Sequence, residues 1–242
     1  MSGFPAVRHE GWLEHFPWLV QGTTTRRAED GTTDFDLRLF GDAPPPDGVH
    51  GRWEALRSWS GCRSVVHARQ VHGAVVLQHD GPAPGLHIPT DCDGHATDTE
   101  GVLLAVSIAD CVPVSVVDPE RRSVALLHAG WRGTAEGILE RGLGDVADGG
   151  RLERLFVHLG PSICGRCYEV GAEVFEALDL PRPPGPTPID LRAVLADRAI
   201  ALGIDPGRLS ISEWCTRCEP GTFFSHRGGD GGRQVAFLGV RS

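Results

Sequence analysis

Two histidines and one cysteine occupy positions at which an imidazole or a thiolate could do chemistry. His72 lies in the segment Arg69–Gly73, Cys111 lies between two apolar runs, and His128 ends the run Val124–His128. Each stands where a predicted strand meets a turn that is polar or carries glycine or proline, so rigid backbone could hold it beside open space. Together they could bind a metal ion, or the thiolate could act as a nucleophile with a histidine as its base. Spacing alone does not separate these possibilities from an inert cysteine and unrelated histidines.

Apolar runs predict the elements that would position these side chains. Continuous runs, which are typical of strands buried on both faces, occur at Val102–Ile108, Val112–Val117 and Val124–His128. Two shorter runs, Arg63–His67 and Ala74–Gln78, predict a hairpin around Arg69–Gly73. The other predicted elements are the strands Leu155–Leu159 and Val235–Val240 and the helices Gly133–Leu143, Glu169–Leu178 and Asp190–Leu202. Because strands and helices do not alternate regularly, we expect α/β or α+β layers and not a doubly wound nucleotide-binding fold.

The composition limits the classes to which the chain can belong. Its 242 residues can form one domain over residues 1–242, and no repeat or linker divides them. The formal net charge of −9 argues against a nucleic-acid partner, because phosphate backbones bind clustered cations. No apolar run approaches the roughly 20 residues that span a bilayer. Since the first residues carry charges where a signal peptide is apolar, we expect a cytoplasmic protein without a membrane partner.

A second cysteine pattern stands apart from Cys111. The seven cysteines, without an export signal, favour reduced thiols, metal ligands or a nucleophile over disulfides. Cys164-x-x-Cys167 and Cys215-x-x-Cys218 have the spacing of paired zinc knuckles, which by itself is typical of a closed four-cysteine site. The alternative is four reduced, buried thiols without a metal. The sequence does not decide between a second metal and free thiols.

Five segments, in the same order along the chain, resemble the YfiH/laccase-domain family. They are Arg69–Gly73, Ala109–Pro113, His128–Gly133, Gly160–Val170 and Phe223–Arg227. The most specific of them reads His-Ala-Gly-Trp-Arg-Gly, and the resemblance extends from about Thr24 to Val240. Members of this family were once called polyphenol oxidases and are now described as purine nucleoside phosphorylases with adenosine deaminase activity.

The resemblance implies a zinc ion bound by His72, Cys111 and His128, with copper as the older alternative. It implies a layered α/β sandwich with mixed β-sheets, similar to certain bacterial toxin cysteine hydrolases. The implied small-molecule partners are phosphate and purine nucleosides, namely adenosine, inosine, guanosine and methylthioadenosine. It does not predict the oligomeric state.

The chemistry of the three side chains agrees with this assignment. Three protein ligands leave the fourth zinc position open, and zinc brings the pKa of bound water to about 7. Deamination also needs a general acid, for which Asp110 beside Cys111 is the candidate. The alternative role for Asp110 is a hydrogen bond that orients a ligand.

Phosphorolysis requires groups that bind phosphate, and arginine suits this because its planar guanidinium group binds two oxygens at once. Arg69, Arg132 and Arg227 lie within family-like segments, and Arg26 lies in a segment that resembles the family's Ser-Thr-Arg. We expect at least one of the four to contact phosphate. Each could instead be a solvated surface residue. Where the family commonly has a second arginine, Arg227 is followed by glycine, which puts substrate preference in question.

Three other functions remain open at this point. Cys111 could be the nucleophile of a metal-free hydrolase with His72 or His128 as its base. A copper-dependent phenol oxidase is the second, although the chain lacks the His-x-His pairs that several coppers need. The third is a noncatalytic protein in which a fourth protein ligand closes the zinc site.

Overall fold

Fourteen strands and six α-helices make up the described chain, which comprises residues 4–28, 31 and 33–241 of a computed structural model. Residues 1–3, 29, 30, 32 and 242, which the predicted domain 1–242 includes, lie outside the described residues. The strands are β1 (Ala6–Val7), β2 (Leu19–Thr24), β3 (Ser64–Val66), β4 (Val76–Gln78), β5 (Gly85–His87), β6 (Gly94–Thr97), β7 (Val102–Ile108), β8 (Val112–Asp118), β9 (Ser123–Ala129), β10 (Phe156–Leu159), β11 (Glu169–Val170), β12 (Thr187–Pro188), β13 (Leu209–Ile211) and β14 (Gln234–Val240). The helices are α1 (Glu10–His15), α2 (Val49–Ser60), α3 (Trp131–Ala135), α4 (Ile138–Val146), α5 (Ala172–Ala177) and α6 (Leu191–Leu202).

Twelve of these strands form two six-stranded sheets in which parallel and antiparallel pairs are mixed. The first sheet has the order β1-β2-β14-β7-β3-β5 and the second has the order β13-β10-β8-β9-β6-β4. In the second sheet β9 is antiparallel to both β8 and β6, and β4 is parallel to β6. The starts of β8, β6 and β4 therefore lie at the same end of this sheet as the end of β9.

Alternating side chains divide the apolar residues into three cores. On β9, Val124 and Leu126 belong to the core between the two sheets, whereas Ala125 and Leu127 belong to the core under α4 and α6. Successive residues of a strand point to opposite faces, and β7 is divided in the same way between the intersheet core and the core under α2. The layers therefore run α2, first sheet, second sheet, then α4 and α6. This confirms the predicted layered α/β fold with mixed sheets, while the closer likeness to toxin cysteine hydrolases stays a prediction.

The predictions for the central strands are confirmed. The continuous apolar runs form β7, β8 and β9, with boundaries within one residue of the predicted ones, and both faces of these strands are buried. The strands β10 and β14 and the helix α6 also lie where they were predicted. Within the described part of the chain, no helix combines the length and the apolar character needed to cross a membrane.

Three local predictions are wrong. Arg63–His67 and Ala74–Gln78 do not form a hairpin, because β3 pairs with β5 and β7 in the first sheet while β4 pairs with β6 in the second. The predicted helix Gly133–Leu143 is two helices, α3 and α4, because Gly137 adopts a left-handed conformation at φ 85°. The predicted helix Glu169–Leu178 begins as β11 and becomes helical only at Ala172.

Candidate metal centre

Several strand ends meet at one end of the second sheet, and the three predicted ligands lie there. His128 is the penultimate residue of β9, Cys111 directly precedes β8, and His72 lies in the loop before β4. Continuing the pairing of β8 with β9 puts Cys111 opposite Gly130 and diagonal to His128 on the same face of the sheet. Diagonal neighbours lie within reach of long side chains. The register of two strands thus brings together ligands that are far apart in the sequence.

The three side chains form an open set of possible metal ligands. The ligand atoms of His72, Cys111 and His128 all lie within 4.8 Å of one another. The two imidazole rings are 5.0 Å apart and inclined at 71°. His128 is buried, Cys111 is half-buried and His72 is exposed, so the set faces solvent on the His72 side. In residues 4–28, 31 and 33–241, no fourth Cys, His, Asp or Glu completes the set.

A buried carboxylate, Asp93, holds two of these ligands. Its Oδ1 accepts hydrogen bonds from the His72 amide at 2.9 Å and from His128 Nδ1 at 2.9 Å. Its Oδ2 accepts from the amides of Val71 at 3.1 Å and Gly73 at 2.8 Å. Because Nδ1 of His128 is engaged, Nε2 is the nitrogen that is free to bind a metal, an arrangement that proteins commonly use to orient ligands.

The backbone at the centre is strained at two positions. His72 and Asp110 have φ values of 62° and 92°, and they are two of the four non-glycine residues with positive φ in the described chain. Such conformations cost free energy and persist only where surrounding contacts hold them. At His72 these contacts are the hydrogen bonds to Asp93.

Two glycines allow the ligands to approach one another. A Cβ atom added at Gly130 would lie 3.2 Å from Cys111 Sγ and 3.2 Å from His72 Cδ2. A Cβ atom at Gly133 would lie 2.5 Å from the carbonyl oxygen of Gly73. The glycines of the His-Ala-Gly-Trp-Arg-Gly segment therefore provide the space in which the loop before β4 packs against α3.

The electrostatics of the centre favour a thiolate beside a protonated imidazole. Burial by itself would raise the pKa of the Cys111 thiol, but the charge and hydrogen bond of His128, together with His72, lower it to about 6. Burial would lower the pKa of His128, but the Cys111 thiolate and Asp93 raise it to about 9. A buried pair of opposite charges stabilises both ionised forms.

Asp110, the predicted general acid, is held by donors on both oxygens. Its Oδ1 accepts from Thr216 Oγ1 at 2.7 Å and its Oδ2 accepts from the Arg227 amide at 2.7 Å. Its carbonyl oxygen also accepts from the Ile163 amide at 3.0 Å. These contacts are those of a residue that positions neighbouring loops, and neither carboxylate partner is a candidate metal ligand, so both roles considered for Asp110 stay predictions.

The four predicted phosphate ligands have different surroundings. Arg132 and Arg227 are exposed, and the Arg227 guanidinium group lies 5.0 Å from the ring centre of Tyr168. Burial, followed by the charge of Cys111, raises the pKa of Tyr168 to about 12, whereas Arg227 and Arg132 act in the opposite direction. Arg132 follows Trp131, over whose ring its guanidinium group lies at 4.3 Å, four residues after His128.

The other two arginines are engaged by carboxylates. Arg26 Nη1 donates to Asp230 at 3.0 Å, and its Nε lies 3.4 Å from Asp34. Arg69 Nε donates to Asp91 at 3.0 Å. Their carboxylate partners leave Arg132 and Arg227 as the stronger candidates for phosphate.

Two residues that contact the predicted site residues were missed in the sequence: Asp93, which binds His128, and Tyr168, which lies against Arg227. Asp93 is one of 32 acidic residues, and only its place directly before β6, opposite His128, distinguishes it. Tyr168 lies in the family-like segment Gly160–Val170 and is the only tyrosine of the chain, which was the available signal.

The centre lies within a stretch that matches a known protein family. Residues 29–241 match the family model described as multi-copper polyphenol oxidoreductase laccase. The chain is 33% identical over 266 residues to purine nucleoside phosphorylase YlmD of Geobacillus stearothermophilus, covering 96% of this chain and 95% of that protein. It is 37% identical over 181 residues to adenosine deaminase RL5 of an unknown prokaryotic organism, covering 67% of this chain and 69% of that protein. Hypothetical protein YfiH of Bacillus licheniformis has a similar crystal structure, with a TM-score of 0.86, 25% identity, and coverage of 99% of this chain and 98% of that one.

Proposed function

Because this chain belongs to the multi-copper polyphenol oxidoreductase laccase family, we propose that it is a zinc-dependent purine nucleoside phosphorylase with adenosine deaminase activity. The observation that carries the proposal is the open set formed by His72, Cys111 and His128. The names of two relatives, a purine nucleoside phosphorylase and an adenosine deaminase, support the two activities. The proposed substrates are phosphate and the nucleosides adenosine, inosine, guanosine and methylthioadenosine.

The donor atoms suit zinc. Zinc prefers nitrogen and sulfur ligands at about 2.0–2.3 Å in a tetrahedron, which corresponds to ligand separations of about 3.3–3.8 Å. Ligand atoms within 4.8 Å of one another reach this geometry with small side-chain rotations. When bound, zinc supplies a Lewis acid at the one position that protein ligands leave open. A noncatalytic zinc protein is disfavoured, because no fourth protein ligand closes the set among the described residues.

The residues of the chain would orient the reactants around this position. Asp93 fixes the tautomer of His128 and the loop that carries His72. The guanidinium groups of Arg132 and Arg227 suit phosphate as the attacking group, since arginine binds its oxygens in pairs. Asp110 positions the segment that carries Arg227, and its use as a proton donor in deamination stays a prediction.

Incubation with adenosine and phosphate, followed by separation of the products, tests the function. Adenine with ribose-1-phosphate indicates phosphorolysis, inosine indicates deamination, and hypoxanthine indicates both. We expect His72→Ala and Cys111→Ala to lose the zinc ion of this centre and both activities together, whereas His50→Ala, which changes an exposed histidine of α2, retains them. Full phosphorolysis by both ligand variants would refute the assignment.

One observation favours a second function, that of a metal-free cysteine hydrolase. Cys111, His128 and Asp93 form a series of nucleophile, base and orienting carboxylate, in which His128 Nδ1 lies 2.9 Å from Asp93 Oδ1. The proposed likeness to toxin cysteine hydrolases points the same way. Metal analysis separates the two functions: protein purified without added metal that is active, contains no more zinc than His72→Ala, and is inactivated by alkylation of Cys111 would be the hydrolase. Copper found in active protein would instead favour the phenol oxidase.

A further inference from the structure

Four cysteines outside the candidate centre gather at one place on the surface. The sulfur atoms of Cys164, Cys167, Cys215 and Cys218 all lie within 4.8 Å of one another, and those of Cys167 and Cys218 are 3.5 Å apart. Four sulfurs at about 2.3 Å around a tetrahedral zinc ion would be about 3.8 Å apart. We propose that these cysteines bind a second zinc ion in a closed, structural site.

The backbone around the cluster is arranged as a metal–thiolate site requires. The amides of Cys164 and Cys218 point at the sulfur of Cys215, with N···S distances of 3.2 Å and 3.4 Å. Amide donors to sulfur disperse the negative charge of a metal-bound thiolate, and such outer hydrogen bonds orient the ligands. Both Cys-x-x-Cys segments thus converge on one sulfur atom.

Two arginines lie beside the four thiols. Zinc with four thiolates carries a net charge of about −2, since each bound thiol is deprotonated. Arg192 lines the same surface depression as Cys164, Cys215 and Cys218, where it also pairs with Asp190 at 3.0 Å, and Arg217 donates to the carbonyl oxygen of Cys167 at 3.0 Å. The depression also gives an ion a path from solvent.

A disulfide would explain the positions of fewer of the four sulfur atoms than a shared metal ion does. A bond between Cys167 and Cys218 would require their sulfurs, now 3.5 Å apart, to approach to about 2.05 Å. It would also leave unexplained why Cys164 and Cys215 bring their sulfurs to the same place. A shared ion uses all four.

The second ion would link the loop that carries Cys164 and Cys167 to the loop that carries Cys215 and Cys218. The backbones of Ser162 and Cys215 form an isolated parallel β-bridge, in which the Thr216 amide donates to the Ser162 carbonyl oxygen at 3.1 Å. Thr216 donates through its hydroxyl to Asp110, and Cys167 directly precedes Tyr168. The four-cysteine site would therefore stabilise the loops that carry Tyr168 and Thr216, the hydrogen-bond partner of Asp110.

Zinc stoichiometry, measured by mass spectrometry on protein purified under reducing conditions without added metal, tests this proposal separately from the function. We expect two zinc ions per chain in the wild type, one in His72→Ala, and one in Cys218→Ser. The control Cys62→Ala, which removes a cysteine outside both clusters, should retain two. One ion in the wild type and none in His72→Ala would overturn the four-cysteine site while leaving the proposed function intact. One ion in both the wild type and His72→Ala would support the four-cysteine site and count against a metal bound by His72, Cys111 and His128.

Two further measurements on His72→Ala need no change in the cluster itself. Progressive modification of its thiols with a mercurial should release the one remaining zinc ion, detected with a colorimetric chelator. After denaturation with chelator and without reductant, all seven cysteines should react as free thiols. A count of five or three would reveal one or two disulfides and would overturn the proposal, as would the absence of zinc release.

Discussion

Replacement of Asp93 by asparagine tests whether one buried carboxylate holds the ligands of the candidate metal centre. Each of its oxygens accepts two hydrogen bonds: Oδ1 from His72 and His128, and Oδ2 from Val71 and Gly73. Asparagine keeps one oxygen and replaces the other by an NH₂ group, which would face two N–H donors. Two of the four hydrogen bonds are therefore lost.

The size of the effect follows from these contacts. A hydrogen bond to a charged group contributes about 1.5–3 kcal/mol, so the loss of two costs about 3 kcal/mol at the low end. In a chain of this length, 3 kcal/mol corresponds to a fall in melting temperature of about 6–12 °C. Loss of a residue that orients metal ligands also weakens metal binding by about 10–100-fold.

Chelator competition for zinc, thermal unfolding and turnover of adenosine measure the three effects. Asp91→Asn is the matched control, because the Asp91 carboxylate is 40% exposed and pairs with Arg69 at the surface, where such pairs contribute about 0–1 kcal/mol. If Asp93→Asn bound zinc as tightly as Asp91→Asn and melted at the same temperature, the role assigned to Asp93 would be refuted.

Two further predictions concern crowding and pH. Gly130→Ala should weaken zinc binding in the same chelator competition, because the added Cβ would lie 3.2 Å from Cys111 Sγ. The control Gly144→Ala should not weaken it, because its added Cβ would have no atom beyond its own helix within 4 Å. Equal zinc affinities of the two variants would contradict this prediction. Burial lowers the pKa of His158 from 6.5 to about 3, so below pH 6.5 the unfolded chain binds a proton that the folded chain does not. The free energy of unfolding should then fall by up to ~1.4 kcal/mol per pH unit from about pH 6.5 toward 3. His158→Gln should flatten this dependence in melting curves, and an unchanged slope would argue against it.

The sequence predicted those elements whose burial is visible in their own residues. β7, β8 and β9 are apolar on both faces, and a continuous apolar run records this directly. The hairpin prediction was wrong because β3 pairs with β5 and β7 and not with the neighbouring β4. The local sequence pattern contains no information about such distant pairing. The break at Gly137 was missed for a related reason, since a glycine inside a helical pattern does not reveal its φ.

The candidate ligands were predicted, but the residue that orients them was not. His72, Cys111 and His128 lie in family-like segments and are of residue types that often bind metals. Asp93, in contrast, is one of 32 acidic residues. What distinguishes Asp93 is that β6 pairs with β9 so that Asp93 falls opposite His128. This is a consequence of register between distant strands, and it is visible only in the folded chain.

The structure also separates the part of the centre that would hold a metal from the part that would recognise substrate. Cys111 and His128 are placed by the register of two buried strands, while Arg227 is placed by a loop tied to Asp110. Gly228, where the sequence predicts a departure from the family pattern, lies in that loop. A Cβ at this position would lie 3.2 Å from both Cβ and the carbonyl oxygen of Ser225, so a side chain there would require a small shift of Ser225. If the proposed function holds, a missing second arginine there would alter contacts with phosphate or nucleoside and leave His72, Cys111 and His128 in place, so we expect substrate preference to vary without any change in the candidate metal ligands.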